Sequence, residues 1–216
     1  MSALAEAMGN EQAQSRVDRF LTRARLKREV CSHALWRRPG LSLMAQYNLC
    51  DGGWMEAGHN LILLGAPQIG KTFLAGAIAR STLARTASVQ WLDLPHHLDR
   101  WDGLMADQIG KKLTPYRNAK LLVIDGFTKS MVPREATAAL AQLMESRGAG
   151  QRPTIFEASR PLKDWDTLFA DEVAARKLFD QVLTRSKRIT IKAPDTSTDA
   201  SRKQPRKRHQ RTRFTS

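Results

Sequence analysis

The chain has 216 residues, 42% hydrophobic and 26% charged, which allows one folded domain with extensions and excludes a chain disordered throughout. No apolar run approaches the roughly 18 residues of a membrane span. The start carries Glu6 ahead of any basic residue and no long apolar stretch, so no secretory leader is expected, and two cysteines cannot build a disulfide framework. A reduced, cytoplasmic protein is expected. Thirty-five Lys and Arg against 21 Asp and Glu leave a net charge of +14, the mark of a polyanion partner, most often nucleic acid. Seven of those cations, Arg202, Lys203, Arg206, Lys207, Arg208, Arg211 and Arg213, stand in the last sixteen residues with no acid among them. Such a tail cannot fold alone, and it reads either as a DNA contact or as a solvated extension.

In chain order, residues 11–32 are expected to be helical, because Val17, Phe20, Leu21, Ala24 and Val30 keep a loose three-to-four spacing. Arg16, Arg19, Arg23 and Lys27 form its basic face, open to two readings: contact with DNA, or a solvated surface. Pro39-Gly40 breaks the chain, and a short linking stretch follows. From Asn60 the pattern becomes strands alternating with helices. LILLG (61–65), SVQWL (88–92), KLLVID (120–125), PTIFEAS (153–159) and KRITIK (187–192) read as strands. Between them, residues 71–85, LPHHLDRW, EATAALAQLMESR (closed by Gly148) and DEVAARKLFDQVLT (171–184) read as helices. Strands separated by helices imply a parallel sheet covered on both faces. The expected organisation is an N-terminal helical segment (1–58), a nucleotide-binding core (59–192) and a disordered basic tail (193–216).

Gly65-Ala66-Pro67-Gln68-Ile69-Gly70-Lys71-Thr72 fits G-x-x-x-x-G-K-[ST] at every fixed position, with an apolar strand before it and a helix after it. Glycines let such a loop curl its N–H groups toward phosphate oxygens, and the following helix adds the positive end of its dipole. Lys71 is then expected to reach the β and γ phosphates, and the Thr72 hydroxyl to ligate Mg²⁺. Asp125, closing the apolar run Leu121-Leu122-Val123-Ile124, is the partner carboxylate expected to hold that Mg²⁺ through water. Cys31, His33, Cys50 and His59 could be strung into a zinc site, but no C-x-x-C pair supports one. The five tryptophans and the His96-His97 pair read as packing residues.

WMEAGHNLILLGAPQIGKTFLAGAIA, KLLVIDGF and RPLKDWDTLFADEVAARKLFDQVL resemble the IstB-like ATP-binding proteins, AAA+ helper ATPases of insertion-sequence transposition related to DnaC-type helicase loaders. The resemblance covers residues 10–192. It implies an α/β P-loop NTPase fold with a five-stranded sheet, binding of ATP with Mg²⁺, and ATP-dependent self-assembly on DNA with a transposase or a replicative helicase. Three positions depart from the family pattern. The residue after the strand-ending Asp, normally the acid that orients attacking water, is Gly126. The fourth strand, normally ending T-S-N, ends Glu157-Ala158-Ser159, and the late helix carries Asp180-Gln181 where the family has Asp-Arg. Glu157 and Arg185 are the candidates to substitute as acid and as arginine finger. Two other readings stand beside the leading one: a nucleic-acid-binding protein with a vestigial P-loop, and a small P-loop kinase.

Overall fold

The computed structural model describes residues 3–24, 41–85 and 88–192. The strands fall where apolar runs are bounded by glycine, proline and polar residues: β1 (Asn60–Leu64), β2 (Val89–Asp93), β3 (Leu121–Asp125), β4 (Thr154–Ala158) and β5 (Ser186–Thr190). All pair in parallel, in the order β2-β3-β4-β1-β5. Because side chains alternate across a strand, each central run feeds two cores. Leu61, Leu63, Val89, Trp91, Leu121, Val123 and Ile155 face one layer. Ile62, Leu92, Leu122, Ile124 and Phe156 face the other. This is why the three inner strands read as unbroken hydrophobic runs. β5 is an edge strand with Lys187 and Arg188 exposed, charges that discourage pairing with another sheet.

Helices α1 (Ala3–Ala24), α2 (Leu43–Asp51), α3 (Gly53–Glu56) and α4 (Lys71–Arg85) cover the first face, contributing Phe20, Leu49, Trp54 and Ile78 to its core. The second face is covered by α5 (Leu94–Trp101), α6 (Ala106–Lys112), α8 (Arg134–Ala149) and α9 (Glu172–Thr184). Short α7 (Thr114–Arg117) leads back to β3.

The structure departs from the sequence expectation at several elements. α1 starts at Ala3 rather than residue 11, and residues 25–32 of the expected helix lie outside the described residues. The stretch expected to be linking holds α2 and α3. Ser42 caps α2, accepting the Ala45 N–H at 3.2 Å, and Gly52 turns between the two helices. α8 runs through Gly148 to Ala149 instead of stopping. A Cβ on Gly148 would come 2.9 Å from Gln181 Oε1, so that glycine allows α8 and α9 to pack closely.

Arg147, at the end of α8, is fully buried. It donates to Thr154 Oγ1 and to the carbonyls of Tyr116, Ala119 and Pro153 at 2.6–3.0 Å, tying α8 to the starts of β3 and β4. Burial first, then Arg152, lowers its pKa to about 9, which leaves it cationic at neutral pH. Trp54, Trp91, Trp101 and Trp165 are buried, in keeping with packing roles, while Trp36 lies outside the described residues. His97 is likewise absorbed in packing, between Asp93 O (2.8 Å) and the Tyr116 hydroxyl (3.1 Å). Among the described residues no helix is long and apolar enough to cross a membrane.

Candidate nucleotide site

The strand order decides where the chemistry lies. β4 is seated between β1 and β3, so the carboxyl ends of these three strands bring the glycine loop, Glu157 and Asp125 together. Ligands of open parallel sheets sit at this end. The loop from Gly65 to Gly70 turns tightly, with φ of +153° at Gly65, +63° at Gln68 and +106° at Gly70. Gly65 has no room for a side chain: its Cβ would stand 2.6 Å from Ile191 O, because the exit of β5 is bonded to Leu64 O at 2.8 Å. The loop bonds to itself between Ile69 N–H and Ala66 O (3.4 Å), and Leu74 N–H to Gly70 O (3.0 Å) opens α4. The first N–H groups of a helix have no partner within it, so the start of α4 presents donors and positive dipole to an anion.

Lys71 and Thr72 are the first residues of α4. Lys71 Nζ donates to Gly65 O and Ala66 O, both at 2.8 Å, and pairs with Glu157 Oε1 at 2.9 Å. Thr72 Oγ1 lies 3.5 Å from Asp125 Oδ1. This side-chain contact spans 53 positions and joins the two halves of the sequence motif. Burial, then the charge and hydrogen bond of Glu157, then the charge of Asp93, raise the Asp125 pKa to about 7. Two carboxylates bonded to each other hold a proton between them, and a divalent cation could take that proton's place. Among the described residues no cluster of three or more His, Cys, Asp or Glu could hold a metal alone. The donors present are hard oxygens, one hydroxyl and one carboxylate, which suits Mg²⁺ completed by phosphates and water. Cys31 and His33 of the sequence-level zinc reading lie outside the described residues.

The departures from the family pattern acquire positions. Gly126 has φ +68°, and a Cβ there would lie 2.9 Å from Cδ and Cγ of Pro95. The backbone after Asp125 is therefore built for glycine, and an acid at 126 would be strained. Glu157 stands inside the site, its second oxygen accepting the Gly126 N–H at 2.9 Å. Ser159 N–H and Arg160 N–H both donate to Thr128 Oγ1, at 3.0 and 3.2 Å.

Gln181 and Arg185 lie elsewhere. Asn60 N–H donates to Arg185 O at 2.6 Å and Asn60 Nδ2 to Gln181 O at 3.4 Å, at the start of β1, opposite the chain's own glycine loop. The structure thus brings residues 65–72, Asp125 and Glu157 together and leaves Arg185 apart. Asp93 was not foreseen. It ends β2 in register with Asp125, and its side chain caps α5 through the His96 N–H (3.4 Å), so the sequence presents it as an ordinary helix cap. The basic residues 202–213 lie outside the described residues.

A parallel five-stranded sheet with a glycine loop after β1, a lysine and a hydroxyl opening the next helix, and a carboxylate across at the end of β3 defines a P-loop NTPase fold. The chain matches the family model described as IstB-like ATP binding protein over residues 4–208, and it belongs to that family. It is 29% identical over 164 residues to an insertion-sequence ATP-binding protein of Mycobacterium tuberculosis, covering 74% of this chain and 61% of that one. It is 28% identical over 160 residues to the insertion sequence IS21 ATP-binding protein of Pseudomonas aeruginosa, covering 72% and 58%. The chain therefore spans about three-fifths of the length of these relatives. Among solved structures the fold is similar to DnaI (TM-score 0.65, 18% identity, 77% of this chain and 95% of that one). It is also similar to the DnaC helicase loader (TM-score 0.54, 19% identity, 69% and 88%).

Proposed function

We propose that this chain is a cytoplasmic ATP-binding accessory protein that acts on DNA with a transposase or a replicative helicase, and that it binds ATP far better than it hydrolyses it. The observation that carries this reading is the junction of Lys71, Thr72 and Asp125 across the ends of β1 and β3. In it, the loop N–H groups and Lys71 hold the phosphates, and Thr72 with Asp125 holds Mg²⁺, which would screen phosphate charge. Residues 1–58 act as a helical segment before a core of 59–192, and residues 193–216 as a basic extension. Transposition is favoured by the relatives named from insertion sequences, helicase loading by the likeness to DnaC. The test is binding of a fluorescent ATP analogue with and without duplex DNA. Absence of nucleotide binding would return the chain to the vestigial-loop reading, and phosphorylation of a metabolite would make it a kinase.

Contact with DNA is supported by charge. Arg16, Arg19 and Arg23 line a cleft of about 410 Å³ between α1 and the β2 edge, together with Trp91 and Tyr116. An adjoining cleft of about 380 Å³ adds Arg100 and Lys112 beside Asp93. The seven cations of the tail extend this basic surface without a scaffold to aim base contacts, so they strengthen binding without choosing sequence. Deleting 201–216 is expected to lower affinity for all duplexes alike and to flatten the log–log salt dependence. A salt slope unchanged by the deletion would show that the tail does not touch DNA.

A further inference from the structure

Lys71 has three N–H donors, and the structure provides three acceptors for them: Gly65 O, Ala66 O and Glu157 Oε1. The residue is 3% exposed, so an arriving phosphate must displace one of the three to reach the ammonium. Two are neutral carbonyls of the loop, and the third is an anion held at its other oxygen by the Gly126 N–H. Glu157 thus stands where a terminal phosphate would compete for the same donor.

The phosphates of a nucleotide do not meet this obstacle equally. Those nearer the nucleoside are cradled by backbone N–H groups of the loop, whereas the terminal phosphate of a triphosphate reaches toward the lysine and the metal-binding hydroxyl. Building on the nucleotide site proposed above, we propose that Glu157 is a specificity-determining residue that sets the preference between nucleoside diphosphate and triphosphate. A diphosphate can enter with the Lys71–Glu157 pair intact. A triphosphate must part it, exchanging a carboxylate for a phosphate on Lys71 and freeing the Gly126 N–H. Glu157 therefore links the number of phosphates bound to the backbone just after β3.

The test is calorimetric titration of ADP and of a non-hydrolysable ATP analogue, each with Mg²⁺, into the full chain and its Glu157→Gln and Glu157→Ala variants. The unmodified chain is expected to bind ADP at least as tightly as the triphosphate analogue. Both variants are expected to gain about tenfold for the analogue and less than about threefold for ADP, the scale of one charge-assisted hydrogen bond released to the ligand. The unmodified chain preferring the analogue by tenfold overturns the proposal without any variant. So do variants that gain equally for both ligands, or for neither, while the unmodified chain binds both. In these cases the nucleotide site survives. If neither the unmodified chain nor the variants bind any nucleotide while thermal unfolding shows them folded, the site itself falls, and the selector with it.

Discussion

Replacing Lys71 with alanine is expected to weaken ATP binding at least tenfold, and toward a hundredfold, while leaving the sheet and its helices folded. A charge-assisted hydrogen bond in a partly desolvated site contributes roughly 1.5–3 kcal/mol, which corresponds to that range. A second effect has the same sign. Glu157, paired with Lys71 at 2.9 Å, would be left as an uncompensated carboxylate facing the phosphates. The fold is expected to survive because Lys71 opens α4 at the ligand end of the sheet, and the Gly65 and Ala66 carbonyls it leaves can turn to water. The measurement is fluorescent-analogue binding beside far-UV circular dichroism. Unchanged affinity in a folded variant would remove the P-loop assignment.

Turnover of ATP is expected to stay below about 1 s⁻¹, the low end of typical enzymes, even at saturating DNA. Hydrolysis needs an acid to position the attacking water and a cation to stabilise charge on the transferring phosphoryl group, and binding needs neither. Gly126 supplies no side chain, and its φ of +68° against Pro95 leaves no unstrained place for one. Glu157 is the carboxylate nearest that role by position, but both its oxygens are engaged, by Lys71 and by the Gly126 N–H. An arginine finger alone is worth about 10³–10⁵ in rate, and position 181 carries glutamine. Restoring the acid through Gly126→Glu is a poor control, because strain would confound it. Gln181→Arg is the better variant. Position 181 lies at the strand-start end of the sheet, away from its own glycine loop, so a gain in turnover is expected only where copies assemble on DNA. Steady-state turnover at or above 1 s⁻¹ by the unmodified chain would overturn the idea and point to Glu157, released from Lys71, with Arg185 as finger.

The division between what was legible in the sequence and what was not follows the range of the interactions. Local patterns determined the inner strands and the glycine loop, because a strand buried on both faces must be apolar at every position and a phosphate loop must have glycines at fixed spacing. Asp125 was legible as the end of such a strand. The helices before Asn60 were less so: Ser42, Gly52 and Gly53 resemble loop punctuation, and their role as helix ends depends on packing of Leu49 and Trp54 against the sheet. Gly148 looked like a helix stop, and only the approach of Gln181 explains why it is glycine.

For the site, the sequence by itself determined which residues are suited to phosphate and metal. Tertiary structure alone decided which of the substitutes shares that place. Glu157 and Arg185 were equal candidates in the sequence, 28 positions apart. The order β2-β3-β4-β1-β5 places the end of β4 between the glycine loop and Asp125 and puts Arg185 at the opposite end of β1. That order is set by how helices cross and cover a twisted sheet, a long-range property that no local spacing encodes.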